Sequence, residues 1–317
     1  MKSMLLFFTT TITLMVISAC SFQQDPILRI GTNQWPGYET LYLARDLGLF
    51  DQHHIKLIEQ TSATETLRAF KQGQIDVAAL TLDEVLSLAQ TENDLRVFLV
   101  MDISNGSDKV MALPEITALA DLKGKGIAVE NTAVGAYMLH QLLATAQIKP
   151  DEISIHSTTV NQQLKHINDG HCVALVTFEP MATKLEQLGY RDLFNSHHPD
   201  VHIIDVLVTR QHVVSQQEQN LKAVITSQWK TLAYMQENRE DAYWRIMPRL
   251  GISHDNIEKS FQGLILPDLD ANKQLFDNSS TASIGKIALN LSAVLVQAQI
   301  LESTPNIDQL LTGHLMD

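Results

Sequence analysis

Gly73-Gln74-Ile75-Asp76-Val77-Ala78-Ala79-Leu80-Thr81-Leu82-Asp83-Glu84 is the stretch that decides the class of fold. Ile75–Leu80 is a short apolar run, the pattern of a strand buried on both faces. Thr81 and Glu84 follow at the three-residue spacing with which a hydroxyl and a carboxyl cap a helix start, so a helix is expected over Leu82–Thr91. Gly73, just upstream, stands where the C-cap of a preceding helix would be. A helix end, a strand and a helix start in such close succession make an α/β unit.

Outward from this stretch the same grammar repeats. Strands are expected at Ile27–Gly31, Ile55–Glu59 and Leu95–Asp102, with helices at Tyr38–Leu47 and Ala63–Gln72. Ser62 and Glu65 again have capping-box spacing, and Gly48 stands at another helix end. A second set begins after Pro114: strand Gly126–Glu130, helix Thr132–Ala146, strand Ile153–His156, a helix from Thr159 (with Gln162 at capping distance), strand Cys172–Thr177 and helix Pro180–Leu188. The two sets end alike, since Gly170…Val176-Thr177-Phe178-Glu179-Pro180 echoes Gly73…Leu80-Thr81-Leu82-Asp83-Glu84. This predicts two similar α/β lobes, each a mixed, mostly parallel sheet flanked by helices, with the apolar segments Lys109–Leu113 and Val201–Thr209 crossing between them. Gln211–Asp317 reads as mostly helical, with long amphipathic stretches at Gln216–Glu237 and Ser283–Gln299 and shorter ones at Asp241–Gly251 and Asp255–Gly263. Open α/β sheets bind ligands beyond the carboxyl ends of their strands. Two such sheets facing each other define a cleft that closes by a hinge motion.

Composition narrows the function. With 317 residues, 45% of them hydrophobic, the chain can build two full cores. Its 23 Lys and Arg against 36 Asp and Glu give a net charge of −13. That balance excludes a nucleic-acid binder and docking on anionic lipid through a basic face. The first twenty residues read as an export signal: Lys2, an apolar run from Met4 to Ile17, then small residues. Ile17-Ser18-Ala19-Cys20 resembles a bacterial lipobox, so residues 1–19 are expected to be a lipoprotein signal peptide, Cys20 the acylated residue and 20–26 a tether. The body would then sit in the cell envelope, periplasmic or otherwise extracytoplasmic, touching a membrane through lipid alone. Cys172, left alone, sits in an apolar strand pattern and reads as structural.

Several segments, taken in order, carry a family resemblance. They are Trp35-Pro36-Gly37-Tyr38-Glu39, Leu43-Ala44…Gly48-Leu49-Phe50, Thr81-Leu82-Asp83-Glu84, Asp102-Ile103-Ser104-Asn105-Gly106-Ser107-Asp108, Leu122-Lys123-Gly124-Lys125 and Thr177-Phe178-Glu179-Pro180. As a set spanning Ile27 to Thr209 they resemble the nitrate/sulfonate/taurine-type substrate-binding proteins of ABC importers, relatives of the thiamine-pyrimidine binders. The resemblance implies a two-lobed periplasmic-binding-protein type II fold. It places lobe 1 at 27–114 plus 206–317 and lobe 2 at 115–205. It also implies a monomer that delivers a small molecule to an ABC permease; a ligand sensor docking onto a membrane receptor or signalling enzyme would need the same hinge.

The candidate ligand-binding residues are Trp35, Tyr38, Asp83, Asp102, Ser104, Asp108, Glu130, Thr132 and Glu179. Trp35 and Tyr38 offer rings for stacking, and Tyr38 a hydroxyl. Glu84 is accounted for as a helix cap, whereas Asp83 would face the cleft. Asp102, Ser104 and Asp108 surround the turn dipeptide Asn105-Gly106, which the resemblance puts at the lobe junction. Glu130 with Thr132, and Glu179, hold corresponding places after strands. Carboxylates dominate this set, and Lys109 is the basic residue among the motifs. Buried carboxylates would compensate a buried ammonium and repel an anion, so a cationic or amine-bearing ligand is expected, with nitrate or a sulfonate as the alternative. No enzyme is expected. Gly-x-Ser-x-Gly, His-Glu-x-x-His, Walker and dinucleotide-glycine patterns are all missing. Neither a metal nor a cofactor is expected: Pro199 disrupts the His197-His198…His202 cluster, and Asp268-Leu269-Asp270 lacks the glycine and glutamate of a calcium loop.

Overall fold

The computed structural model describes residues 26–316. The expected signal peptide, Cys20 and the tether up to residue 25 lie outside them. Among the described residues eleven strands occur in chain order: β1 (Leu28–Thr32), β2 (Ile55–Glu59), β3 (Val77–Thr81), β4 (Leu95–Ser104), β5 (Asp108–Ala112), β6 (Gly126–Val129), β7 (Ser154–Ser157), β8 (Ala174–Phe178), β9 (Arg191–Asn195), β10 (Ile203–Arg210) and β11 (Leu264–Ile265). They form one sheet in the order β11-β4-β10-β3-β1-β2 and a second in the order β7-β6-β8-β5-β9. Apart from the short β11, the two orders match. Each sheet has a parallel set (β2-β1-β3 and β7-β6-β8) followed by an antiparallel strand, β10 or β5. That antiparallel strand has in each case just arrived from the other sheet. The repeated sequence grammar is thus a repeated topology. Gly73 and Gly170, at equivalent helix ends, both adopt the left-handed conformation with φ of +67° and +73°.

The segments Lys109–Leu113 and Val201–Thr209, expected to be crossings, are themselves the strands β5 and β10. The chain passes between sheets at 105–107 and again at 196–202, so the sheets change before the expected boundary at 114 and before that at 205. The reason is burial. Val110, Met111, Ala112 and Val206, Leu207, Val208 are fully inaccessible, which suits the middle of a sheet better than a connection. Thr159 does not open a helix directly: its hydroxyl bonds Asn161 at 2.5 Å, and a single turn at Val160–Gln162 precedes helix Gln163–Asn168. Strand β9 goes beyond the sequence expectations, because its charged residues hide its periodicity.

The first sheet is covered on both faces. Phe98, Leu99 and Met101 of β4 pack with Tyr42, Leu207 and Leu221, while Val97 and Val100 pack with Leu80, Leu86 and Leu291. No helix among the described residues is long and apolar enough to cross a membrane. The outer edge of β4 is closed by a side chain. Asn272, fully buried on helix Leu269–Phe276, accepts from the Val100 N–H at 2.9 Å and donates to the Val100 carbonyl at 3.1 Å. It thereby imitates a neighbouring strand. Replacing Asn272 by Ala strands both backbone groups, and urea unfolding is expected to show a loss of about 2–3 kcal/mol.

Candidate functional site

The carboxyl ends of the parallel strands in the two sheets converge on one cleft. From the first sheet come Asn33 and Trp35 after β1, Tyr38 in the turn Pro36–Tyr38, Thr81 and Glu84 at the junction of β3 with helix Leu82–Leu88, and Asp205 of β10. Ala63 opens the helix Ala63–Lys71. The second sheet contributes Asp108 at the start of β5, Phe178 at the end of β8 and Val134 from helix Ala133–Ala146. Together they line one narrow pocket, closed down to a cavity of about 20 Å³. Trp35 and Phe178 meet across it edge to face, with centroids 5.7 Å apart and planes at 81°. An adjoining pocket shares Ala63, Asp108, Val134 and Phe178, and adds Glu130 and Thr132.

Behind the aromatic wall, Asp102 of β4 lies opposite Asp205 of β10 in the sheet register. Like charges in that position repel. Each carboxyl group receives one aromatic donor: Trp35 Nε1 donates to Asp102 at 3.0 Å, and the Tyr38 hydroxyl donates to Asp205. One oxygen of each is left without a partner. The same holds for Glu84, whose other oxygen accepts from the Thr81 N–H at 3.2 Å, and for Asp108; Asp83 has neither oxygen partnered. All five groups are at least 95% buried. Desolvation, reinforced by neighbouring acids, pushes Asp83, Asp102 and Asp108 up to about 7 and Glu84 up to about 8. Asp205 is raised well above the usual carboxylate range by burial and by Asp102 and Asp108. Burial and Asp205 likewise raise Tyr38. The nearby cation, Lys109, is already engaged by Glu179 at 3.1 Å, Glu186 at 3.3 Å and Asp192 at 4.0 Å.

Of the residues singled out by sequence, Trp35, Tyr38 and Asp108 line the main pocket, and Glu130 and Thr132 the adjoining one. Asp102 supports the wall through Trp35. Glu84 caps its helix as expected and also faces the pocket, whereas Asp83, expected to face the cleft, is buried and does not line it. Ser104 lies on the far side of the crossing, bonding the Ser196 hydroxyl at 2.7 Å and accepting from the Asp108 N–H at 3.2 Å, so it joins the two connections between sheets. Thr132 caps helix Ala133–Ala146 by accepting from Gly135 N–H at 3.3 Å. Glu179 pairs with Lys109 and accepts from the Thr183 N–H at 3.0 Å. Sequence reading misses Asn33, Phe178 and Asp205. Asp205 carries a usable signal, as a lone acid inside the apolar run Ile203-Ile204-Asp205-Val206-Leu207-Val208.

The profile of the family described as NMT1/THI5 like matches residues 35–242, about two thirds of the chain, beginning at the cleft residue Trp35. The chain belongs to the NMT1/THI5-like family. No match is found among curated protein sequences. Among solved structures, the alkanesulfonate-binding protein SsuA from Xanthomonas axonopodis pv. citri, bound to MOPS, superposes with a TM-score of 0.75 at 15% identity, covering 92% of this chain and 99% of that one. A Candida albicans protein described as having the generic periplasmic binding protein fold gives 0.68 at 13% identity, covering 90% and 96%. A mutant of the desulfurization enzyme DszB, in complex with biphenyl-2-sulfinic acid, gives 0.65 at 16% identity, covering 92% and 98%. The fold is therefore that of the periplasmic binding proteins, and it serves binders and at least one enzyme.

The raised carboxyl groups set the pH dependence of the empty protein. A group that titrates near 7 or 8 when folded and near 4 when unfolded holds its proton more tightly in the folded state. The stabilisation is complete below about pH 4 and is lost as pH rises through 7–8. The melting temperature of ligand-free protein is expected to fall between about pH 5 and pH 8.5. Asp83→Asn and Glu84→Gln should each flatten that slope in a differential scanning fluorimetry series.

Proposed function

We propose that the protein is an extracytoplasmic solute-binding protein that takes a small cationic or amine-bearing molecule into the interlobe cleft and delivers it to an ABC permease. In this reading Cys20 carries the lipid anchor, and the chain acts as a monomer. The observation that carries the ligand assignment is that Glu84, Asp108 and Asp205, buried and incompletely partnered, line one pocket, with Asp83 and Asp102 close behind them and Lys109 committed elsewhere. Ionised, they cost several kcal/mol each unless a cation compensates them. An ammonium ion does so, while Trp35 and Phe178 supply aromatic surface. Family membership and the fold support binding and delivery.

The comparisons favour a second reading, a sulfonate, since the superposing SsuA structure is named for alkanesulfonate binding. This cleft could accept one if its carboxyl groups stay protonated and donate hydrogen bonds to the sulfonate oxygens. The two readings differ in sign. A cation displaces protons from the carboxyl groups, so its affinity rises with pH from 6 to 8; a sulfonate requires those protons, so its affinity falls. The test is thermal unfolding at both pH values against alkylamines and quaternary ammonium ions on one side and alkanesulfonates on the other. Ligand at about 100 times its dissociation constant adds about 2.7 kcal/mol, enough to read. Stabilisation by amines, larger at pH 8, is the expected result. Stabilisation by sulfonates, larger at pH 6, transfers the assignment to the second reading.

A further inference from the structure

We propose that Glu130 is a specificity-determining residue that acts as a built-in anion, closing from the second lobe onto the first turn of a helix in the first and occupying the donors that an anionic ligand would use. The inference rests on the solute-binding reading above. Glu130 directly follows β6, and only 4% of it is exposed. Its Oε1 accepts two hydrogen bonds from Thr64, at 3.0 Å from the N–H and 2.6 Å from the hydroxyl. Its Oε2 accepts from the Val160 N–H at 3.4 Å. Thr64 belongs to helix Ala63–Lys71, which packs on β3 and β1 of the other sheet. These bonds therefore span the cleft.

The helix start is otherwise arranged to receive a ligand. Ser62 caps it by accepting from the Glu65 N–H at 3.3 Å, which leaves the Thr64 N–H free of any partner in its own lobe. A free N–H at the positive end of a helix is where an anionic oxygen binds. Ala63, its neighbour, lines both pockets, so this end of the helix faces the ligand space. Glu130 fills the position with the protein's own carboxylate. Unlike the five acids described above, it has no orphaned oxygen.

The backbone holds Glu130 in place for this contact. Its carbonyl accepts from the Thr132 N–H at 2.9 Å and lies against Gly135, where any Cβ would collide with it. Residue 135 must therefore stay small for the strand end to sit against the helix. When the lobes close, a sulfonate and Glu130 would compete for the same donors. The sulfonate would also face the fixed charge of Glu130, whereas a cation gains one more carboxylate in its surroundings. Discrimination of this kind comes from repelling the wrong ligand as much as from attracting the right one.

The test compares wild type with Glu130→Ala and Glu130→Gln, using ethanesulfonate as the probe. Small-angle scattering of the ligand-free proteins should show Glu130→Ala more open than wild type, while Glu130→Gln, which keeps an acceptor for Thr64, stays nearer wild type. Ethanesulfonate affinity should rise about tenfold in Glu130→Ala, the scale of one charge-assisted hydrogen bond. Equal ethanesulfonate affinity in wild type and Glu130→Ala, or identical scattering, overturns the proposal. Should Glu130→Ala fail to fold, Thr64→Val removes one donor and must shift the scattering in the same direction, or the proposal fails. The scattering arm uses no ligand. A wild type that binds neither amines nor sulfonates would therefore sink the functional reading while leaving the Glu130 contact to be judged separately.

Discussion

Water is withheld from five carboxyl groups that no cation reaches among the described residues, and much of the molecule is arranged around that constraint. Asp102 and Asp205 stand side by side on adjacent strands, and each is held by a single aromatic donor. Asp83, Glu84 and Asp108 keep unpartnered oxygens at burial levels where an ionised carboxylate is strongly unfavourable. A cluster of this kind persists when the groups hold protons or when a ligand brings positive charge. Both routes make the cleft a place where charge, protonation and closure are coupled. Lys109 does not relieve the repulsion, because three other acids hold it to one side.

The fold explains how acids from distant parts of the chain meet. In each sheet the chain returns from its partner as an antiparallel strand, β5 or β10, placed beside the parallel set. Asp108 begins β5 and Asp205 lies near the start of β10, so both crossings deliver a carboxyl group to the cleft. The parallel strands add Glu84, in the helix start after β3, and Phe178 at the end of β8. Ser104 and Ser196 tie the two crossings together by a hydroxyl–hydroxyl bond, which keeps the lobes in register. Glu130 then provides a contact across the opening from the opposite side.

Much of this is legible in the chain. Strand β2 lies where apolar periodicity places it, and the Ser62 cap and the Glu84 back-bond form as their spacing implies. The central strands β5 and β10 stand out as apolar runs but read as connections, because a run buried on both faces has no period to distinguish it. The role of Asn272 on helix Leu269–Phe276 escapes sequence reading, since the residue is polar and fully buried, which composition alone reads as exposed. The acidic character of the cleft can be read from Asp102, Asp108 and Glu130. The assignment of Glu84 as a cap alone is incomplete, because a carboxylate has two oxygens and the cap uses one. Contacts between lobes, such as Trp35 with Phe178 and Glu130 with Thr64, leave no local pattern at all.

The most direct test is an NMR titration of the side-chain carboxyl carbons in the ligand-free protein. Several groups, assigned through Asp83→Asn, Glu84→Gln and Asp102→Asn, are expected to titrate near 7–8. If every carboxyl group instead titrates near 4, as in free peptides, the cleft carboxyl groups are solvated and need no cationic ligand to compensate them.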